Sequence, residues 1–180
     1  MRIIGLAGWS GSGKTTLLTK AIPRIVARGL TVSTVKHAHH SFDIDQPGKD
    51  SHSHRLAGAT EVLVGSGRRW AVVHELRGEA EPSLSDLIKK ASPVDLLVVE
   101  GYKAERHPKL EVYRFENGKP LLHVEDPAIV AIASDVALPS ARVPVVDLND
   151  IEGIVEILLR HATPVDLGVN PAGGLARRPF

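Results

Sequence analysis

One octapeptide near the start of the chain constrains its fold and chemistry more than any other stretch. Residues 8–15 read Gly-Trp-Ser-Gly-Ser-Gly-Lys-Thr and fit the pattern G-x-x-x-x-G-K-[ST] of a phosphate-binding P-loop. Its glycines let successive backbone N–H groups converge on one anion, and the N-terminus of a following helix adds positive potential. The motif predicts that Lys14 reaches the β- and γ-phosphates of a nucleotide and that the Thr15 hydroxyl binds Mg²⁺. The predicted nucleotide contacts here are Gly8, Trp9, Ser10, Gly11, Ser12, Gly13, Lys14, Thr15 and Thr16.

The flanking sequence predicts the fold class. An apolar run of strand length, residues 3–7, precedes the motif, and a helix-compatible stretch follows it. Residues 30–36 are rich in β-branched side chains and predict a second strand, so the three elements predict a right-handed parallel βαβ unit. Further apolar runs at 94–99, 129–134 and 143–147 extend the pattern. We therefore expect an α/β fold with a mostly parallel sheet of the P-loop NTPase type.

Residues 109–124 predict an antiparallel hairpin added to this core. The stretch 109–115 alternates in the manner of a strand, and the Asn117-Gly118 pair is a strong hairpin-turn signal. Residues 121–124 would supply the returning strand. The pattern therefore predicts an antiparallel ribbon added to the core.

Length and composition indicate one domain, or one domain with an elaboration. The chain has 180 residues, of which 43% are hydrophobic, and this is enough for one self-supporting core. We expect the domain to cover residues 1–162, with Asn149 or Asp150 capping its last helix. Residues 163–180, rich in proline and glycine, predict a flexible C-terminal tail.

Overall charge points to no nucleic-acid or membrane partner. The net charge is +1, with 22 basic and 21 acidic residues, so no global field favours a polyanion. No run approaches the roughly 20 apolar residues that span a bilayer. The chain has no cysteine, which fits a reducing compartment, and we expect a cytoplasmic location.

Glu100 is the predicted carboxylate of the metal site. Asp95 and Glu100 flank one apolar run, about 16 Å apart in an extended strand, and they point to opposite faces of it. Ligands of open α/β sheets gather at the carboxyl ends of strands, so Glu100 is expected to bind Mg²⁺ directly or through water. Asp95 is expected to be an exposed residue at the strand start. The alternative for Glu100 is a solvated loop carboxylate.

A polar segment rich in histidine follows the second predicted strand. Its candidate ligands are His37, His39, His40, Asp43, Asp45, His52 and His54. Such a segment is compatible with a loop that senses phosphate and Mg²⁺, with a transition-metal site, or with a merely solvated loop. Asp45 is its best candidate for Mg²⁺ or water contact, and with Lys14 and Glu100 it completes the predicted catalytic set. Lys36 and His37 are expected to help neutralise the γ-phosphate or an anionic substrate.

Two further side chains are candidates for contact with the base. Trp9 has a large side chain within a loop that must expose its backbone, and lateral packing is favoured over stacking on a base or pterin. Asp135 ends an apolar run and could accept two hydrogen bonds from guanine. It lacks the Asn-Lys-x-Asp context that is usual in GTPases, so a turn start remains open.

Taken together, five segments resemble the molybdopterin-guanine dinucleotide biosynthesis adapter protein B family. They are residues 8–16, Lys36-His37-Ala38-His39-His40, Phe42-Asp43-Ile44-Asp45, Pro47-Gly48-Lys49-Asp50-Ser51 and Val98-Val99-Glu100-Gly101-Tyr102-Lys103. The segment from Lys36 to Ser51 is far more specific than a P-loop. The resemblance extends from Arg2 to about His161.

This resemblance implies a protein that binds GTP and Mg²⁺, hydrolyses GTP weakly and forms a homodimer. It also implies a partner, the molybdenum cofactor guanylyltransferase, which joins GMP to molybdopterin or its molybdenum form. Weak hydrolysis agrees with the sequence, in which no glutamine or arginine finger can be assigned. Arg55, Arg68, Arg69 and Arg106 are candidates for a finger supplied across a dimer.

Two alternative functions stay open at this point. A small-molecule or nucleotide kinase would use the histidine-rich loop and the Tyr102-Lys103 region to hold an acceptor, with Asp43 or Asp45 as general base. A nickel or zinc delivery GTPase would use the histidines as metal ligands.

Overall fold

The computed structural model describes residues 1–38 and 42–165. In chain order the elements are β1 (Arg2–Ala7), α1 (Lys14–Ala27), β2 (Val32–Lys36), α2 (Asp50–Leu56), β3 (Glu61–Gly65), β4 (Trp70–His74), α3 (Leu84–Lys90), β5 (Leu96–Glu100), β6 (Lys109–Tyr113), β7 (Ile129–Ser134), β8 (Val145–Asp147), α4 (Ile151–His161) and β9 (Thr163–Pro164). Two 3₁₀ turns, Phe115–Asn117 and Leu122–Val124, lie between β6 and β7.

The chain forms two compact units. One comprises Met1–His37 and Leu87–Phe180, and the other comprises Ala38–Asp86. We call them the sheet unit and the inserted unit. The P-loop belongs to the sheet unit, whereas most of the histidine-rich segment belongs to the inserted unit. A domain boundary at residue 162 stays a prediction.

The sheet unit is built on a mostly parallel sheet with the order β2-β5-β1-β6-β7-β8. Strand β1 lies between β5 and β6 and is parallel to both. The side chains of Leu96, Leu97, Val98 and Val99 are all fully buried, as expected of a strand covered on both faces. The predicted α/β class is confirmed. Parallel pairing also brings the carboxyl ends of β1, β5, β6 and β7 to one edge of the sheet.

Helices α1 and α4 contact one another and cover part of this sheet. Ala21 and Ile25 of α1 and Ile154 and Leu158 of α4 are fully buried in one apolar cluster with the sheet. The Asp150 carboxylate accepts a 2.9 Å hydrogen bond from the Gly153 backbone N–H, which satisfies one donor of the first turn of α4. Asp150, one of the two expected caps, is therefore the N-cap of this helix.

The hairpin predicted over residues 109–124 does not form. Strand β6 pairs in parallel with β1 on one side and β7 on the other, so neither edge is left for a returning strand. The Asn117-Gly118 pair ends a 3₁₀ turn, and residues 122–124 form a second one. Strands β3 and β4, in the inserted unit, form an antiparallel hairpin in which Glu61 pairs with His74 and Gly65 with Trp70.

The inserted unit consists of α2 packed against the β3–β4 hairpin. Its polar centre is Arg55, which is only 13% exposed and forms ion pairs with Asp43, Asp45 and Glu75. These contacts tie the segment before α2 and the segment after β4 to one guanidinium group.

The expected C-terminal tail begins with a strand. Thr163–Pro164 pairs antiparallel with the start of β1, and Val165 donates a 3.1 Å backbone hydrogen bond to Met1. Residues 166–180 lie outside the described part of the chain, so the flexibility predicted for them stays a prediction. Within residues 1–38 and 42–165, no helix combines the length and apolar character that crossing a membrane requires.

Candidate functional site

The P-loop connects the end of β1 to the start of α1 through glycines in the left-handed region. Gly8, Gly11 and Gly13 have φ angles of 142°, 79° and 94°. A Cβ atom on Gly8 would lie 2.5 Å from the carbonyl oxygen of Val112 and 2.7 Å from Ser12 Oγ. Glycine at position 8 is therefore required by both backbone conformation and space.

Two polar groups of the loop are placed to contact an anion. The Ser12 hydroxyl is buried without a hydrogen-bond partner among the described residues, which is costly unless a ligand or water completes it. The Lys14 ammonium donates hydrogen bonds of 2.9 Å to the carbonyl of Gly8 and 3.0 Å to that of Trp9. Thr15 and Thr16 lie exposed in the first turn of α1, and Ser10 is exposed in the loop. A glycine cradle with converging donors fits a phosphate group.

Lys14 lies in a field of other charges. Burial is the largest influence on the pKa of its ammonium group and lowers it. The Glu100 carboxylate acts against this shift, whereas the positive charges of Lys103 and Lys36 lower the pKa further. Three lysines and one glutamate therefore interact electrostatically at the P-loop.

The carboxyl end of β5 brings together three of the predicted site residues. Glu100 is aligned with Leu6 of β1 and with Lys36 of β2. Its carboxylate is 3.8 Å from the Lys36 ammonium and is 14% exposed. The ring of His37 lies 5.0 Å from that of Tyr102. Lys36, His37 and Glu100 are thus neighbours at this edge, beside the P-loop strand.

Asp95, by contrast, serves the opposite end of β5. Its carboxylate accepts hydrogen bonds of 2.8 Å from the Thr31 N–H and 2.7 Å from the Thr31 hydroxyl. These bonds lower the pKa of Asp95. The residue joins two strands structurally, in keeping with its expected position at a strand start.

Asp135 lies where β7 ends and is engaged by the chain after β6. Its Oδ1 accepts a 3.0 Å hydrogen bond from the Phe115 N–H, and its Oδ2 is 3.9 Å from the Arg114 guanidinium. The Nε of Arg114 also lies 3.2 Å from the position of a Cβ on Gly13. Arg114 therefore lies close to both the P-loop and Asp135. It was missing from the predicted site, although its position directly after β6 was a signal that could have found it.

The side chain of Trp9, within the P-loop, is held by a hydrogen bond and by two nearby cations. Its indole N–H donates a 2.8 Å hydrogen bond to the carbonyl of Pro120. The ammonium groups of Lys103 and Lys119 lie 4.8 Å and 5.9 Å from the centre of its ring system. The indole thus contacts cations from two separate segments, an arrangement that favours the packing role.

Asp45 lies in the inserted unit, where Arg55 binds it. Arg55 Nη2 donates to one carboxylate oxygen at 2.9 Å and Nε donates to the other at 3.3 Å. These bonds hold the pKa of Asp45 below its usual range. The predicted contact of Asp45 with Mg²⁺ stays a prediction. In the described residues no group of three histidine or acidic side chains is placed to hold a metal ion, and His39 and His40 lie outside them.

Comparison with known proteins identifies the family of this chain. The family model described as "Molybdopterin guanine dinucleotide synthesis protein B" matches residues 3–135. A molybdopterin-guanine dinucleotide biosynthesis adapter protein of Escherichia coli K12 is 42% identical over 87% of this chain and 91% of its own length. The protein of the same description from Haemophilus influenzae is 37% identical over 87% of this chain and 86% of its own.

Solved structures give the same result for the fold. A crystal structure of molybdopterin-guanine biosynthesis protein B has a TM-score of 0.70 at 25% identity, covering 88% of this chain and 98% of that one. The MobB homologue of Bacillus stearothermophilus has a TM-score of 0.64 at 27% identity, covering 89% and 97%. The chain belongs to the molybdopterin guanine dinucleotide synthesis protein B family.

Proposed function

We propose that this protein is a GTP-binding adapter that assists the attachment of GMP to molybdopterin in the synthesis of molybdopterin guanine dinucleotide. The observation that carries the proposal is the position of the P-loop beside Glu100 at the carboxyl edge of the sheet, in a chain of this family. The P-loop supplies the anion site, and the neighbouring carboxylate supplies a group for the metal.

The residues fit Mg²⁺–GTP in three respects. The glycine cradle excludes side chains where phosphate must approach. The buried Ser12 hydroxyl has no hydrogen-bond partner among the residues that the structure describes, and the Lys14 ammonium is within the loop. Lys14 would contact the β- and γ-phosphates, and Thr15 and Glu100 would hold Mg²⁺ or its water shell. When bound, Mg²⁺ neutralises charge on the β- and γ-phosphate oxygens.

Asp135 is the proposed guanine contact. One of its oxygens accepts from the Phe115 N–H, which orients the carboxylate, and carboxylate oxygens can accept more than one hydrogen bond. Arg114 would lie between this carboxylate and the phosphates, because its guanidinium approaches both Asp135 and Gly13.

The proposal includes slow hydrolysis of GTP by this protein. The chain contains one glutamine, Gln46, and it lies in the inserted unit. Arg55, considered above as an arginine finger, has Nε, Nη1 and Nη2 all engaged by carboxylates. Arg68, Arg69 and Arg106 stay candidates for a finger supplied across a dimer. GTPases to which no arginine is supplied in trans turn over on the order of 10⁻⁴ to 10⁻² per second, and we expect a rate in this range.

The structure supports a kinase less well than it supports an adapter. The general bases considered for it were Asp43 and Asp45, and Arg55 binds both carboxylates at 2.6 Å and 2.9 Å. Such pairing lowers basicity, because the carboxylate must lose its cation before it accepts a proton. We infer that the nucleotide serves the partner enzyme rather than a phosphoryl acceptor on this chain.

The proposal includes a molybdenum cofactor guanylyltransferase as partner, molybdopterin or its molybdenum form as the substrate of that partner, a homodimeric state and a cytoplasmic location.

The decisive experiment is reconstitution. Purified guanylyltransferase, limiting GTP and Mg²⁺ are mixed with molybdenum-loaded molybdopterin, and dinucleotide formation is followed with and without this protein. We expect the wild type to raise the rate and Lys14→Ala to fail. Equal stimulation by both proteins would refute a nucleotide-dependent adapter role.

A further inference from the structure

Lys103 brings a second flexible cation to the phosphate site. It follows Glu100 by three positions, in the loop after β5. Its ammonium lies 4.8 Å from the centre of the Trp9 ring system, so it stands over a P-loop side chain. Its charge also helps to lower the pKa of Lys14, as expected of a cation close to the P-loop.

The backbone of Lys103 is held by a buried charge. Lys109 of β6 is only 1% exposed, and its ammonium donates hydrogen bonds of 2.8 Å to the Lys103 carbonyl and 2.8 Å to the Asp126 carboxylate. A buried ammonium is costly unless it is paired and hydrogen-bonded. Here one of its bonds goes to a main-chain carbonyl of the site loop. Moving the Lys103 backbone would therefore remove one of the hydrogen bonds that stabilise the buried Lys109 ammonium.

Space for Lys109 is provided by the P-loop strand itself. A Cβ atom on Gly5 of β1 would lie 2.9 Å from Lys109 Cγ and 2.5 Å from His107 Nε2. Any side chain at position 5 would therefore collide with this buried polar group. The glycine, the lysine and the Lys103 loop form one connected arrangement beneath the P-loop.

The side of the P-loop on which Lys103 lies indicates which phosphate it faces. In P-loop proteins the metal bridges the β- and γ-phosphates and is held by the motif hydroxyl and a neighbouring strand-end carboxylate. Glu100 at the end of β5 would provide that carboxylate here, whereas Asp135 lies beyond β6 at the end of β7. Lys103 follows Glu100, so it belongs to the end of the site that receives the terminal phosphate.

We propose that Lys103, positioned by Trp9 and by the buried Lys109 that pairs with Asp126, binds the terminal phosphate and makes the site prefer a nucleoside triphosphate to a diphosphate. This inference rests on the proposed nucleotide binding. It adds a contact that lets the protein distinguish GTP from GDP, which a P-loop by itself does poorly because both ligands carry the β-phosphate. Lys109 acts as a positioning residue and touches no ligand.

The test compares GTP with GDP in three single variants. Affinities of the full chain are measured by calorimetry in excess Mg²⁺ for wild type, Lys103→Met, Lys109→Met and Lys119→Met. We expect Lys103→Met to weaken GTP binding about tenfold, as for loss of one charge-assisted hydrogen bond, and to change GDP binding less than about twofold. Lys119→Met is the matched control, because its ammonium is also near Trp9, at 5.9 Å. It should leave the GTP to GDP ratio unchanged.

Lys109→Met separates positioning from simple stability. We expect Lys109→Met to lower the ratio of GTP to GDP affinity less than Lys103→Met does. The variant releases the Lys103 backbone but keeps the Lys103 charge. A purely structural role would lower the melting temperature and leave the ratio intact. Asp126→Asn is measured in parallel, because it keeps the Lys109 ammonium and the size of its partner. It should also lower the ratio of GTP to GDP affinity, and it replaces Lys109→Met as the test if that variant does not fold.

The outcomes distinguish this inference from the proposed function. Wild-type protein that binds neither nucleotide would overturn both. Wild-type binding with an unchanged ratio in Lys103→Met, or an equal loss for GTP and GDP, would overturn the role of Lys103 and leave the adapter proposal standing. An effect of Lys119→Met equal to that of Lys103→Met would also overturn it, since general surface charge would then explain the result.

Discussion

The backbone N–H of His37 donates a 2.9 Å hydrogen bond to the carbonyl oxygen of Glu100. This bond continues the pairing of β2 with β5 beyond the last strand residues and draws the two loops together. Gly101, the next residue, has a φ of 94°, and a Cβ there would lie 2.6 Å from His37 Cβ. The close contact of these loops at the site edge therefore requires glycine at position 101.

Gly101→Ala should accordingly weaken both stability and GTP binding. Left-handed backbone strain and the clash with His37 together predict a loss of about 1–3 kcal/mol in the free energy of unfolding. Displacement of Glu100 predicts weaker binding in Mg²⁺. The measurements are denaturant unfolding and GTP titration. Gly29→Ala is the control, because its φ is 78° and a Cβ there meets nothing within 4 Å. Equal effects of both variants on GTP affinity would show that contact with His37 is irrelevant.

Glu100→Gln should act mainly through the metal. The variant keeps the size of the side chain and removes the negative charge, so we expect the Mg²⁺ concentration for half-maximal GTP binding to rise about tenfold. Affinity for GTP without Mg²⁺ should change less. Asp95→Asn is a matched control, since Asp95 precedes the same strand and binds Thr31 at its other end. If Glu100→Gln lowers affinity equally with and without Mg²⁺, Glu100 has no metal role.

His107 makes stability depend on pH. Burial, with a contribution from the Lys109 charge, lowers its pKa from 6.5 to about 4, against the opposing effect of Asp126. The unfolded chain therefore binds a proton near pH 6.5, whereas the folded chain does so only near pH 4, and stability falls as the pH drops through this window. After allowance for partial exposure we expect a loss of about 2 kcal/mol.

The check is a series of urea unfolding curves between pH 7 and pH 4 for wild type and His107→Asn. The variant has no imidazole to protonate, so its stability should change less across this range. Parallel curves for the two proteins would mean that His107 does not remain neutral in the folded state.

The elements around the P-loop could be predicted because their signals are local. The motif, the apolar run before it and the β-branched run after it each depend on neighbours in sequence, and the helix cap at Asp150 does too. The position of Glu100 followed from the rule that parallel strands present their carboxyl ends at one edge.

The segment after residue 108 could not be predicted in this way because its charges are buried. The alternation of Lys109, Leu110 and Glu111 is typical of a strand with one wet face, yet Lys109 and Glu111 are 1% and 0% exposed. Lys109 is neutralised by Asp126. Glu111 accepts hydrogen bonds of 2.7 Å and 2.9 Å from the N–H groups of Leu122 and His123. These partners lie 11 to 17 positions away, so local pattern misplaced the hairpin.

Asp135→Asn should reduce the preference for guanine nucleotides. Guanine offers two donors, N1–H and N2–H, to which a carboxylate can bind, whereas a neutral amide supplies one acceptor and one donor. We expect the ratio of GTP to ATP affinity to fall about tenfold by competition calorimetry. The variant also weakens the acceptor for the Phe115 N–H, and that structural effect should lower affinity for both nucleotides alike. Asp147→Asn serves as the control, because Asp147 ends the neighbouring strand β8 and accepts from the Asn149 N–H. A ratio that stays constant in Asp135→Asn would assign Asp135 to positioning Phe115 and Arg114 rather than to reading the base.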